Sequence, residues 1–230
     1  MPCCLREIMY LLTAATSFEM DAFRSHSSGG NSMPLLVTGM GPMETTLRLA
    51  RRLEQEQGRV RGVINFGVAG AYRYPGQEEA ADLLDICLAE REVLGDFGIC
   101  LQEEIAQFTA HPETPSVFSM DSSLLAAGRR ILADLHMPAR CGTFVTVNCA
   151  SGTLNRGAML GRTHSGLCEN MEGAAVARVC REFSLPCLEI RCISNLVEDR
   201  DPGGWQLDRA CAIAGRAASL VVRHLERRHD

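Results

Sequence analysis

Short apolar runs alternate with segments of helical periodicity along this chain of 230 residues, and that alternation narrows its fold more than any other feature. The runs Ile8–Ala14, Leu35–Thr38, Gly62–Phe66, Leu83–Val93, Cys141–Val147 and Cys187–Ile193 read as strands. Between them, Pro42–Gln57 is expected to be helical, with Met43, Leu47, Ala50 and Leu53 on the buried face. Further helices are expected over Ser122–Leu135, capped by Asp121 or Ser122, over Gly173–Phe183, and over Gln206–His224. The last carries the apolar stripe Leu207, Ala210, Ala214, Ala217, Val221, Leu225. Ser25–Ser32 reads as a polar turn, and Gly67–Gly70 as a turn of small residues that lets backbone approach a ligand. Gly95–Val117 shows no clear pattern. Strands separated by helices require substantial parallel pairing and helices on both faces of the sheet. With no repeat or proline-rich linker, residues 1–230 are expected to form one α/β domain.

Several chemistries are excluded early. The formal net charge is −5, which argues against nucleic acid as the main partner. No apolar run reaches the ~18–20 residues of a membrane span, and residues 1–10 show no secretory pattern, so a cytoplasmic protein is expected. All 23 basic residues are arginine. Without lysine there is no Walker A phosphate loop, Schiff base or pyridoxal phosphate linkage. The 11 cysteines lack C-x-x-C spacing, and the histidines (His26, His111, His136, His164, His224, His229) lack ligand spacing. No metal and no cofactor are expected, and most cysteines should be small buried hydrophobes.

In open α/β sheets, ligands bind beyond the carboxyl ends of the strands. Four such places carry unusual polar residues: Ala14–Glu19, Asn65–Gly70, Asn170–Ala175, and Ile193–Asn195 followed by Asp199–Asp201. Singly, each has an ordinary explanation, such as an acid in the first turn of a helix or an asparagine in a turn. Their joint placement points to a site. The turn Gly39-Met40-Gly41-Pro42-Met43-Glu44 invites a dinucleotide-binding reading, but Glu44 replaces the third glycine and Pro42 removes a donor. A tight strand-to-helix turn is the simpler account.

The run Asn170–Ala177 (NMEGAAVA) resembles the Met-Glu-Gly signature of the nucleoside phosphorylase-like nucleosidases, which include methylthioadenosine/S-adenosylhomocysteine nucleosidases. Glu169–Ala177, Ile193–Val197 (ISNLV), Asp199–Asp201 with Trp205, Ala14–Glu19 (AATSFE), Val37–Pro42 and Thr146–Thr153 are similar to the futalosine hydrolase branch. The resemblance spans most of the chain and is weakest from Gly95 to Arg140. It implies a three-layer fold with a mixed, twisted central sheet and helices on both faces. It also implies release of hypoxanthine from futalosine in menaquinone biosynthesis, without a cofactor, by a homodimer or higher homo-oligomer.

Residue by residue, the resemblance makes Glu19 the base that takes a proton from the attacking water. Glu172 becomes the ribose-binding acid, Met171 the group packed on the sugar face, and Arg191 the organiser of the carboxylate network. Asn195 falls beside the purine, where adenine-specific relatives carry Asp. Ser151, Gly152 and Thr153 become base contacts, and backbone amides near Ala69 and Gly70 serve the water where relatives carry Ser at the position of Val68. An amide at Asn195 donates hydrogen bonds but cannot deliver a full proton, which suits a 6-oxopurine. Phosphorylases of the superfamily usually carry Gly-Asp-Pro-x-Arg after the first strand. Here that turn is Ala-Ala-Thr-Ser-Phe-Glu, whose carboxylate repels phosphate and favours hydrolysis. The alternatives are a methylthioadenosine/S-adenosylhomocysteine or aminofutalosine nucleosidase, a purine nucleoside phosphorylase, and a nucleoside-binding protein without catalysis. An arginine among Arg73, Arg156, Arg162 and Arg200 is expected to meet the 5′ carboxylate of futalosine.

Overall fold

A computed structural model describes residues 9–27, 33–56, 58–77, 79–101, 104–108, 113–199 and 202–227. The chain runs β1 (Met9–Ala14), α1 (Ser17–His26), β2 (Leu35–Val37), α2 (Pro42–Glu56), β3 (Val60–Ala71) and β4 (Ile86–Leu94). It continues through β5 (Gly98–Cys100), β6 (Ile105–Gln107), β7 (Val117–Ser119), α3 (Ser122–Asp134), β8 (Ala139–Thr146), α4 (Leu154–His164) and β9 (Gly166–Asn170). It ends with α5 (Gly173–Glu182), β10 (Cys187–Leu196), a 3-10 turn at Pro202–Gly204 and α6 (Leu207–Glu226).

The main sheet is mixed, as expected. Strand β1 pairs in parallel with β2 and β3, β10 with β3, and β8 with both β4 and β9; β10–β4, β3–β9 and β4–β7 are antiparallel. Because β3 pairs with β9 at one end and β10 along its length, strands β3, β10, β4, β8 and β9 close into a ring. The sheet is therefore not the open one on which the ligand rule was first applied.

Side-chain alternation builds the layers. Leu12, Ala14, Ile64, Phe66, Leu188, Ile190 and Cys192 pack with α1, α3 and α6. Leu11, Val63, Cys187 and Ile193 point the other way, toward α2 and α5. Tyr72, Val145, Leu160 and Val197 form a smaller apolar cluster near α4. Among the described residues, no helix is long and apolar enough to cross a membrane.

Several sequence expectations are corrected. Residues 67–70 are the end of the long strand β3 rather than a turn. Ser25 and His26 belong to α1; Ser28–Ser32 lie outside the described residues. Leu83 and Leu84 precede β4, Leu84 with φ of 68°. The unassigned stretch holds β5, β6 and the start of β7, and α4 and β9 were not foreseen. On α2 the buried residues are Thr45, Leu49 and Leu53, whereas Met43 and Leu47 are 84% and 64% exposed. The stripe is turned because Leu49 and Leu53, four apart, dock on the sheet. At the start of α6, Leu207 is 40% exposed, while Ala210, Ala214, Ala217, Val221 and Leu225 are buried. Six of the described cysteines are buried and all nine are free thiols, as small hydrophobes should be.

Candidate active site

The turn after β1 is a helix start with a reciprocal cap. Thr16 Oγ1 accepts from the Glu19 amide at 3.2 Å. Glu19 Oε2 accepts from the Thr16 amide at 3.0 Å and its hydroxyl at 2.8 Å. This is the capping box of a Thr-x-x-Glu sequence. Capping alone does not bury a glutamate, yet Glu19 is buried. Its other oxygen, Oε1, turns inward and accepts from the Val68 amide of β3 at 3.2 Å. A Cβ on Gly67 would collide with Glu19 Oε1 and Arg191 Nη1, so glycine is what lets the acid and the strand meet.

Arg191 comes from the centre of β10, beside Gly67. It is 2% exposed and three-way anchored. Its Nε donates to Glu189 Oε1 at 2.8 Å, Nη1 to the Val68 carbonyl at 3.1 Å, and Nη2 to Glu172 Oε2 at 3.2 Å. Burial by itself would lower the arginine's pKa. The carboxylates Glu189, Glu172 and Glu19 outweigh it and hold the guanidinium charged. Breaking one arm of such a buried pair strands the other charge, which costs about 3–5 kcal/mol.

Glu172 ends the β9–α5 connection. Its Oε1 accepts from the Gly41 amide at 3.1 Å. Gly39 and Gly41 sit at φ of 83° and 85°, a left-handed conformation suited to glycine, and this directs the Gly41 N–H at the acid. The glycine-rich turn thus serves a carboxylate of the same chain. Asn170 secures the connection, its Oδ1 accepting from the Glu172 and Gly173 amides at 2.9 and 2.7 Å. Met171 is half-buried beside it.

Four residues further along β10, about 13 Å of strand, a second group of residues assembles. Asn195 pairs with Gly70 after a bulge. Its Oδ1 accepts from the Ser194 hydroxyl at 2.9 Å, and Nδ2 donates to the Leu196 carbonyl at 3.2 Å, leaving one Nδ2 proton uncommitted by these bonds. A pocket of about 160 Å³ is lined by Asn195, Ser151, Gly152, Ala150, Leu83 and Trp205 among others. That is smaller than the roughly 300–1,000 Å³ of a whole small-molecule site, and suits one part of a ligand. Glu169 on β9 holds the loop in place. Its carboxylate accepts from the Ser151 amide and hydroxyl, both at 2.7 Å. Burial raises its pKa, against the lowering effect of the Ser151 bonds.

The sequence-derived residues therefore divide. Glu19, Glu172 and Arg191 converge, and Asn195, Ser151 and Gly152 line one pocket. Thr153 does not face it: its hydroxyl accepts from the Arg156 amide and caps α4. Within the segment expected to serve the water, the Val68 amide meets Glu19. The Ala69 carbonyl instead accepts from Ser194, and Gly70 gives the room that Asn195 and Val197 need. Arg156 bonds Asp96 and the Cys149 carbonyl near the pocket, and Arg73 bonds Asp82 and the Ala81 carbonyl; Arg200 lies outside the described residues. Sequence reasoning missed Glu92, Glu189 and Thr146. The alternation of charge and apolar residues in Leu188-Glu189-Ile190-Arg191-Cys192 was the available signal.

A family model described as the phosphorylase superfamily matches residues 16–227. Among solved structures, the chain is similar to a Helicobacter pylori 5′-methylthioadenosine/S-adenosylhomocysteine nucleosidase with butyl-thio-DADMe-Immucillin-A (TM-score 0.81, 18% identity, 95% of this chain and 99% of that one). It is also similar in fold to the native futalosine hydrolase of the same organism (TM-score 0.78, 19% identity, 94% and 98%). A putative nucleosidase of the first type from Borrelia burgdorferi, bound to adenine, matches with TM-score 0.79 at 19% identity over 94% and 100%.

Proposed function

The chain belongs to the phosphorylase superfamily, and from that premise we propose that it hydrolyses the N-glycosidic bond of futalosine, releasing hypoxanthine. The observation that carries the hydrolytic reading is the buried Glu19 carboxylate, held by Thr16 and the Val68 amide beside Arg191. A fixed carboxylate facing the sugar repels an attacking phosphate and accepts a proton from water.

Glu172 accepts from a ribose hydroxyl with lone pairs not used by Gly41 and Arg191, and its charge favours an oxocarbenium-like sugar. Arg191 keeps Glu172 in one orientation. In the pocket, the remaining Asn195 Nδ2 proton donates to O6 of hypoxanthine, where adenine would present a donor of its own. Ser151 and Gly152 border the base. Homodimerisation is part of the same reading. Phe18, Met40, Met43 and Leu47 are 52–84% exposed on segments that carry Glu19 and the glycine turn, an apolar skin suited to a second copy.

The test is purine release by the purified protein from futalosine, aminofutalosine, methylthioadenosine and inosine, with and without phosphate. Hypoxanthine from futalosine, independent of phosphate, is expected. Adenine release would transfer the site to an adenine nucleosidase, and a phosphate requirement would make it a phosphorylase. Release from none of them would leave nucleoside binding without catalysis.

A further inference from the structure

Behind the groups proposed to meet the nucleoside lies a second layer of buried acid. Glu92 on β4 is fully buried and Glu189 on β10 is 1% exposed. Their carboxyls meet beside Gly173, where an added Cβ would collide with both Glu92 Oε1 and Glu189 Oε2. Glu189 Oε1 is satisfied by Arg191 Nε at 2.8 Å and Asn65 Nδ2 at 3.2 Å. Glu189 Oε2 is buried, and no N–H or O–H donor among the described residues reaches it; the Glu92 carboxyl lies against it instead. Glu92 in turn accepts from Asn170 Nδ2 at 2.5 Å and meets the Thr146 hydroxyl at 2.7 Å.

Three buried carboxyls, Glu189, Glu172 and Glu19, act on the guanidinium of Arg191, and a fourth, Glu92, lies against Glu189. Two carboxylates in contact with no donor between them do not both ionise. One proton supplies the missing donor. Burial and then the Glu189 charge push Glu92 well above the usual carboxylate range, in the same direction.

We propose that Glu92 and Glu189 share one proton between Glu92 Oε1 and Glu189 Oε2, and that this pair positions Arg191 by presenting it with a single negative charge. The consequence for turnover rests on the hydrolase reading above. With one charge on the pair, Arg191 divides its remaining arms between Glu172 and the Val68 carbonyl, whose strand carries the amide that meets Glu19. A second ionisation draws the guanidinium toward the pair and away from Glu172. The other titratable groups facing this centre are Glu19 from α1, Cys168 on β9 and Glu172 ahead of α5, with Cys87 on β4 beside Cys168. The two thiols are pushed up by burial and stay neutral. The proton belongs to the pair rather than to either residue.

The experiment is infrared spectroscopy of the ligand-free protein near neutral pH, wild type against Glu92→Gln, together with the NMR resonance of the Arg191 Nε–H. Glutamine at 92 supplies the donor permanently. A protonated-carboxyl band is expected in the wild type and lost in the variant, and the resonance should move with alkaline pH only in the wild type. Equal protonated-carboxyl intensity in both proteins would overturn the shared proton. A resonance that ignores the pair's titration would overturn the positioning role. If Glu92→Gln does not fold, Glu189→Gln removes the same proton and reads the same band. With futalosine, Glu189→Gln should lower kcat/KM by about tenfold or more, since it takes the charge from Arg191, and Glu92→Gln should abolish the alkaline limb of the pH profile. Spectral readouts need no substrate, so failure of the hydrolase reading would leave them decisive.

Discussion

Two demands meet in Glu19: one oxygen closes a helix cap and the other faces β3 and Arg191. The substitution Glu19→Gln separates them. Glutamine keeps the capping box but cannot take a proton from water. It should lower kcat by about 10²–10⁴-fold; its NH2 cannot accept from the Val68 amide as Glu19 Oε1 does, so stability should also fall by about 1–3 kcal/mol, and turnover close to wild type in the folded variant would sink the general-base role. At the other end of the site, Asn195→Asp should raise adenine release relative to hypoxanthine, because an acid can carry the proton an amide cannot. The ratio of the two purines released from aminofutalosine and futalosine measures this, and an unchanged ratio would remove Asn195 from base selection. Both residues were singled out in the sequence by their joint placement after strands and by the family resemblance, not by either position alone. Glu92 and Glu189 were not. Glu92 stands in the charged run Glu90-Arg91-Glu92 of β4 and Glu189 between apolar neighbours in β10, and only the packing of α5 over that face shows them to be buried.

Between elements, close approach depends on small residues. Helices α1 and α6 cross where Gly215 touches the backbone of Ala22 and Phe23, and a Cβ there would collide with both. Gly215→Ala should therefore destabilise by about 1–3 kcal/mol, as overpacking does, despite alanine's better helix propensity. Thermal unfolding would show a lower midpoint, and a higher one would mean that the helices separate at no cost. The alanine-rich stripe of α6 announced such contact in the sequence. Helix α2 did not behave so legibly: its apolar residues lie on two faces, and periodicity could not tell the docked pair Leu49 and Leu53 from the exposed Met43 and Leu47. Likewise α4 and β9 carry too many polar and small residues for a periodic signal, although β9 is buried throughout.

Taken whole, the molecule stores acid in its interior, and its stability must depend on pH accordingly. Glu92 and Glu169 have raised values in the folded state, chiefly through burial. The folded protein thus binds more protons than the unfolded chain above about pH 4.3. Their contribution is full below that value and is lost as pH rises toward the folded values. His164 has the opposite sign: burial lowers its value, so its contribution is present above about pH 6.5 and lost as pH falls below it. Replacing Glu92 by Gln removes one of the raised groups. The stability advantage of the variant over wild type should grow as pH rises from 5 to 8 (roughly the span from the unfolded carboxylate range upward), read by denaturant midpoints. A constant difference would show that Glu92 is ionised in the fold.

The amino-acid sequence by itself determined the alternating elements, a sheet with substantial parallel pairing between helices, and the polar residues placed after strands. These depend on local periodicity and on residue chemistry, which neighbouring positions express directly. Tertiary structure decided the ring closure through β3, β9 and β10 and brought Glu19 to Glu172 and Arg191, both more than 150 residues further along the chain. It also decided which polar residues lie in the dark, because burial is set by the element that packs across a strand and not by the strand itself.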